Sequence, residues 1–254
     1  GEILTVQELL YGLMLHSGND AAVALAIYCG GTVEGFAELM NDKAHQLGMK
    51  DSHFENPNGL DAPGHYATAR DLAVLASYAM KNPIFYKTVS AKNVTVGQRY
   101  LRNHNKLLWL YEGADGVKTG YTRAAGRILV SSAVRAGRRL IAVTINAPDD
   151  WDDHAALLNQ GFSGFEHRRI VSAGEIVGFA EIAGGLSGNV QLLAAEDFDY
   201  ALAPEEKMTF VVPGTGFVYA PVAQGGDAGY VYICVDGKSV GKVPVRYGET
   251  IEKQ

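Results

Sequence analysis

Cysteine is almost missing from this chain of 254 residues: there are two, Cys29 and Cys234, far apart and each in apolar surroundings. Two such residues exclude a disulfide framework, and no zinc-type spacing accompanies them, so both are read as small buried hydrophobes. A basic cluster is missing too. Lysine and arginine number 22 against 28 acidic residues, and the net charge of −6 argues against a nucleic-acid partner. Long apolar runs are absent: the longest clean one, Ala21 to Cys29, is far short of the roughly 20 residues that span a bilayer. The chain opens on Gly1 with neither a charged n-region nor an apolar h-region, and is read as a trimmed piece without its secretion signal.

What is present is enough apolar residue, 47%, and enough glycine, 30, for one large domain or a medium domain followed by a small one. Thr5-Val6-Gln7-Glu8 has the reciprocal capping-box pattern, and Leu9, Leu10, Leu13 and Met14 follow at helical spacing. The helix reaches His16, Ser17-Gly18-Asn19 interrupts it, and Asp20 to Tyr28 resumes as an apolar helix expected to be buried on most sides. A polar triplet held between two core helices can be fixed closely enough for catalysis. Alternatively, Ser17 and Asn19 merely cap the second helix. Thr32 and Thr68 are read as caps of two further helices, the second ending before Pro83. Between them runs a loop from Asp51 to Tyr66, whose His53 and His65 lack ligand spacing and are assigned to packing or loop hydrogen bonds.

Beyond Pro83 the pattern changes to short strands. Val94 to Val96 and Tyr100 alternate, Leu107-Leu108-Trp109 is a brief apolar run, and Ile128 to Val134 with Leu140 to Ile145 form a hairpin around Arg135-Ala136-Gly137-Arg138. Asp149-Asp150 starts a helix lying across that sheet, so residues 1–164 are expected to form an α/β (α+β) layered domain. From Phe165 the helical signal disappears. Runs such as Ile170-Val171, Val190 to Leu193, Met208 to Val212, Tyr230 to Val235 and Val240 to Val245 alternate with turns, one of them Asp236-Gly237. Residues 165–254 are therefore expected to form a small all-β sandwich-like or barrel domain without catalytic residues.

The chemistry concentrates in Gly113-Ala114-Asp115-Gly116-Val117-Lys118-Thr119-Gly120-Tyr121-Thr122. On an expected strand edge, Lys118 offers a compact positive charge and Thr119 a hydrogen bond to a substrate carboxylate. Gly113, Gly116 and Gly120 are read as leaving room for another backbone. His104 and His154 are softer candidates; for the latter, an acid-rich first turn, Asp149 to Asp153, equally suits the helix dipole.

Four stretches stand in one order and spacing: Leu15-His16-Ser17-Gly18-Asn19-Asp20-Ala21, Phe54-Glu55-Asn56-Pro57-Asn58-Gly59-Leu60, Leu107-Leu108-Trp109 and Asp115 to Thr122. On these, residues from about Leu4 to Phe165 resemble a serine D-alanyl-D-alanine carboxypeptidase of the low-molecular-mass penicillin-binding proteins, a penicillin-binding/β-lactamase-like transpeptidase fold. The β-rich remainder resembles the C-terminal domain of that group. The resemblance implies an acyl-enzyme reaction on peptidoglycan stem peptides ending in D-Ala-D-Ala, with β-lactam antibiotics as ligands, in the extracytoplasmic bacterial envelope and without metal or cofactor. It assigns proton relay to Ser17, the substrate amide to Asn19, the terminal carboxylate to Lys118 and Thr119 of the Lys118-Thr119-Gly120 triplet, and an oxyanion N–H to Tyr121.

The chain departs from the group in lacking the nucleophilic Ser-x-x-Lys ahead of Ser17, so it is expected to be truncated at its N-terminus and inactive alone. Ser239-Val240-Gly241-Lys242 and Ser187-Gly188-Asn189 are treated as chance matches in turn-like context. A non-catalytic envelope protein binding peptidoglycan or partners is the alternative. Peripheral membrane contact through a missing C-terminal segment stays open, since relatives often end in an amphipathic helix.

Overall fold

Thr5 starts the first helix, α1 (Val6–His16), with both bonds of the capping box: its hydroxyl accepts from the Glu8 amide at 3.2 Å and its own amide donates to the Glu8 carboxylate at 2.7 Å. Tyr11 and Leu15 turn inward. After Ser17 the chain re-enters helix as α2 (Asn19–Gly30), and Thr32 then caps α3 (Val33–Gln46) by accepting from the Gly35 amide at 2.9 Å. The burial expected of α2 is only half met. Ala21, Ala22, Leu25 and Ala26 pack inward, whereas Ile27 and Tyr28 are exposed. Cys29 is exposed with them, against the expectation, because the helix buries one stripe of small residues rather than its whole circumference; Cys234 is buried. The computed structural model describes residues 1–213 and 217–254.

Thr68 caps α4 (Ala69–Ala79), and a separate helix follows where strands were expected: α5 (Pro83–Ser90), capped by Asn82, whose side chain accepts from the amides of Ile84 and Phe85. Pro83 opens this helix, the first-turn position where a missing N–H costs nothing. The strands β1 (Asn93–Val96) and β2 (Arg99–Arg102) pair as a hairpin. Leu107-Leu108-Trp109, expected to fall among strands, is one helical turn, α6 (Leu107–Leu110).

Next come β3 (Ala114–Thr122), β4 (Gly126–Arg135) and β5 (Arg138–Ile145), a three-stranded sheet in the order β3-β4-β5, then α7 (Asp150–Ser163). The sheet lies between two apolar layers. Leu129, Ala133 and Ala142 pack with Leu158 of α7 and with Leu107 and Tyr111, while the alternate residue Val130 packs with Met80, Val89 and Val117. Each such fully buried Leu or Val side chain contributes roughly 1.5–3 kcal/mol. The N-terminus of α7 is fixed by Asp150, almost fully buried, which accepts from the Arg127 guanidinium at 2.8 and 2.9 Å.

By compactness the chain divides into Gly1–Arg135 with Arg139–Phe162, and Ser163–Gln254 with Ala136–Arg138. The second unit is β-rich. Its strands are β6 (Glu166–Val171), β7 (Ile176–Ala183), β8 (Asn189–Ala194), β9 (Phe198–Leu202), β10 (Met208–Val211), β11 (Phe217–Tyr219), β12 (Asp227–Val235) and β13 (Lys238–Tyr247). Six form one sheet, β10-β12-β13-β8-β7-β11, and β6-β9 form a separate pair. Val171, Ile170 and Phe198 of that pair pack on Val177, Leu192, Val231, Ile233 and Val243 of the larger sheet, a sandwich-like core. Asp236 and Gly237, both at positive φ, make the tight turn between β12 and β13. Among the described residues no single helix is long and apolar enough to cross a membrane.

Candidate active site

Ser17 closes α1. Its amide donates to Leu13 O at 3.0 Å and the Gly18 amide to Gly12 O at 3.2 Å, a helix ending that places residue 17 in the left-handed region, φ 55° and ψ 42°. Glycine is the usual occupant of that conformation, and an L-residue there carries a penalty of about 1 kcal/mol. Asn19 is the first residue of α2, whose cap is Gly18 without a side-chain hydrogen bond. The side chains of Ser17 and Asn19 therefore do not cap the second helix; both are exposed. Ser17→Gly and Ser17→Ala remove the same hydroxyl, so the glycine variant should be the more stable by about 1 kcal/mol. Chemical denaturation of the two variants checks this, and equal midpoints would contradict it.

Lys118 lies on β3, which among the described residues is an edge strand paired with β4. Its ammonium donates to the Ser17 hydroxyl and, at 2.6 Å, to the Thr119 carbonyl. The fold thus joins two residues that stand on separate elements and more than a hundred positions apart. Thr119 is half-buried, and Gly120 and Tyr121 are exposed further along the same strand. The glycines differ from one another. A Cβ at Gly113 would lie 2.3 Å from the Val134 carbonyl oxygen, a true backbone approach, whereas at Gly116 it would meet the Val89 side chain at 3.1 Å. At Gly120 it would meet nothing nearer than 3.7 Å, so the room expected there is not occupied by another backbone.

Two buried asparagines, which the sequence reading did not single out, hold this strand in place. Asn105 donates to the Gly116 carbonyl at 2.8 Å and accepts from the Leu107 amide at 3.1 Å. Asn103 donates to the carbonyls of Val89 and Ala91 at 3.1 and 3.0 Å and accepts from the Asn105 amide at 2.9 Å. Arg139 adds an ion pair to Asp115 at 2.6 Å. Polar residues between β2 and α6 look like ordinary loop, and only their burial reveals the task.

Burial pushes the Lys118 ammonium down from 10.5 to about 8. Between pH 8 and 10.5 the unfolded chain then binds a proton that the folded chain does not, so this group makes stability rise with pH across that window. Anion binding has the opposite sign, because a carboxylate needs the charged form. Affinity for a peptide carboxylate should fall as pH rises through about 8, and binding at pH 8 to 9 should take up protons. Calorimetry in two buffers of different ionisation enthalpy reads this directly, and identical heats in both would refute it.

The histidines separate into different roles. His104 packs against His16 with ring centroids 4.7 Å apart and the rings tilted at 38°, and its amide donates to Leu15 O at 3.2 Å. Burial first, then His16 and Lys118, lower the His104 pKa. His154 is wholly buried between Ser131 at 2.6 Å and Thr144 at 2.9 Å, and burial lowers it to about 4. It is a neutral core residue seated beneath the sheet. His53 meets the Gly64 carbonyl at 3.1 Å within its loop. Among the described residues no group of three or more His, Cys, Asp or Glu could hold a metal ion.

Ser239 and Lys242 both lie on β13 rather than on a helix; the hydroxyl contacts the Gly241 carbonyl at 3.5 Å and the ammonium sits 4.1 Å from the Tyr230 ring centroid. That is no nucleophile beside its base. Ser187 likewise bonds the Asn189 carbonyl, at 3.0 Å.

Residues 1–149 match the family described as D-alanyl-D-alanine carboxypeptidase, and residues 165–253 match the C-terminal domain of penicillin-binding protein 5. The chain is 32% identical to the D-alanyl-D-alanine carboxypeptidase DacF of Bacillus subtilis, covering 100% of itself and 68% of that protein. With DacD of Escherichia coli it shares 40% identity over 81% of itself and 54% of the relative. It thus spans between about half and two thirds of these relatives' lengths. Among solved structures, penicillin-binding protein 5 of Haemophilus influenzae superposes with a TM-score of 0.62 at 32% identity, covering 98% of this chain and 75% of the other. A DD-transpeptidase of Streptomyces K15 gives 0.61 at 37% identity, over 63% and 69%.

Proposed function

The chain belongs to the D-alanyl-D-alanine carboxypeptidase family, and on that premise we propose that its Ser17–Lys118 site receives the D-alanyl-D-alanine end of a peptidoglycan stem peptide for serine-type carboxypeptidase chemistry. The observation that carries this is the contact between the Lys118 ammonium and the Ser17 hydroxyl beside the edge of β3. Lys118 and Thr119 bind the terminal carboxylate with charge-assisted hydrogen bonds. Asn19 holds the scissile amide through its donor and acceptor. The main-chain N–H of Tyr121, past Gly120, serves the oxyanion. Ser17, able to donate and accept at once, relays a proton to the leaving D-alanine amine. A β-lactam, with its own carboxylate beside a reactive amide, fits the same donors.

Acyl transfer also needs a serine beside a lysine base at this site, and the single Ser-x-x-Lys in residues 1–254 is the one on β13. The 254-residue polypeptide therefore binds and positions, and turns over only when such an element is supplied. The second reading is a peptidoglycan-binding envelope protein without catalysis. Residues 165–254 contribute no catalytic residue in either case, and both readings place the protein in the extracytoplasmic envelope.

The two part in one experiment: the chain is joined to a Ser-x-x-Lys segment from a relative, and D-alanine release and penicillin acylation are followed, with Ser239→Ala as control. Release, with acylation on the added serine and no effect of the control, supports the carboxypeptidase. Binding without release in the joined protein selects the second reading, and loss of acylation in Ser239→Ala would move the nucleophile to β13.

A further inference from the structure

A second cationic site opens beside the first. In the unit that carries Lys118, a cavity of about 600 Å³ is lined by His16, Arg102, His104, Lys106, Trp109 and their neighbours, and no Asp or Glu lines it. We propose that this cleft binds a second carboxylate, carried by the acyl side of the same peptide whose C-terminal carboxylate Lys118 and Thr119 hold; the inference rests on the function proposed above.

Charge is the first support. Arg99, Arg127 and Arg139 of this unit are each held by a carboxylate, whereas Arg102, Lys106 and the adjacent Lys92 have no ion pair among the described residues. In a chain of net charge −6, uncompensated cations gathered at one cavity form a local field that attracts an anion.

Preorganisation is the second. The Arg102 guanidinium lies 4.9 Å from the Trp109 ring centroid and the Lys92 ammonium 5.9 Å from it. A guanidinium held over an aromatic ring is restrained in place, and its fork of N–H groups can meet a carboxylate with two parallel bonds. The Arg102 amide donates to His16 Nε2 at 3.2 Å, which ties β2 to the end of α1 and fixes the strand that carries the guanidinium.

Position is the third. His16 immediately precedes Ser17, and His104, packed against His16, is bonded through its amide to Leu15. The cleft therefore begins one residue from the hydroxyl that Lys118 contacts. A peptide with its terminal carboxylate on Lys118 has its preceding residues within reach of the cavity, where the exposed faces of Trp109 and Leu110 cover an aliphatic stem. A small inorganic anion would make no use of those apolar walls.

The test is binding to the 254-residue chain of two peptides ending in D-alanyl-D-alanine, identical except that one upstream group is a free carboxylate in one and its carboxamide in the other. The carboxylate peptide should bind about tenfold more tightly, a preference that shrinks with salt. Arg102→Glu should erase the preference and leave the carboxamide peptide's affinity unchanged, which also shows that the variant is folded. Arg102→Gln with Lys106→Gln should do the same without adding a negative charge. Equal affinities in the unaltered chain, or a preference that survives both variants, would overturn the subsite. Lys118→Ala separates the two ideas: it should weaken both peptides alike, and if it weakens neither, the terminal-carboxylate reading fails while the cleft's preference is still read from the pair.

Discussion

Lys118→Ala should lower kcat/KM for D-alanine release by about a hundredfold or more in the chain joined to a Ser-x-x-Lys element, while leaving the fold intact. Its ammonium is in contact with the Ser17 hydroxyl, so under the proposed function its removal takes away both the charge meant for the substrate carboxylate and the partner that orients the serine. Thr119 alone offers a neutral hydrogen bond, about half as strong. The fold should tolerate the change because the side chain is half-buried and its charge is already disfavoured there, as the pKa lowered to about 8 records. Lys118→Arg should not rescue activity, since a planar fork cannot reproduce a point charge that bonds Ser17 and the Thr119 carbonyl together. D-alanine release and a melting curve on each variant suffice; normal turnover of the alanine variant would remove Lys118 from the site.

The second large effect is an absence of reaction. Incubated with penicillin and analysed by mass spectrometry, the polypeptide of residues 1–254 alone should show no covalent adduct. A carboxylate clamp and oxyanion donors can position a β-lactam, but no acyl bond forms without an activated nucleophile. Ser17 is held by an ammonium that donates to it, which lowers its nucleophilicity rather than raising it. Ser239 and Lys242 are engaged elsewhere. A one-to-one adduct on the purified chain, with no other polypeptide present, would overturn the claim. The same preparation should self-associate on a sizing column, because Ile3, Tyr28, Ile84 and Tyr100 are largely exposed around the helical layer and offer apolar surface to a neighbour.

Much of the fold could be read because its signals are local. The capping box of α1, the threonine caps of α3 and α4 and the glycine turn before β13 each lie within a few residues, and the structure places them where the sequence does. The misreadings have physical causes as well. The helix capped by Thr68 does end before Pro83, but the strand pattern beyond hides a further helix, because Asn82-Pro83 is a cap followed by a first-turn proline. The apolar composition of α2 cannot show that only the stripe of Ala21, Ala22, Leu25 and Ala26 is packed. The approach of Ser17 to Lys118 lies in no local pattern; it became legible only through resemblance. Asn103, Asn105 and His154 owe their roles to burial, a property of the folded chain that a polar residue type argues against in advance.

Ser17 has a consequence for any effort to improve this protein by selection. A library sorted for heat resistance alone rewards whatever relaxes the left-handed turn at the end of α1, and a single-codon step from serine to glycine does so at once. Survivors would accumulate that change at the position whose hydroxyl touches Lys118, and would look improved by every thermal criterion. Sorting must therefore be coupled to ligand capture from the first round, or the screen will discard the site while hardening the scaffold around it.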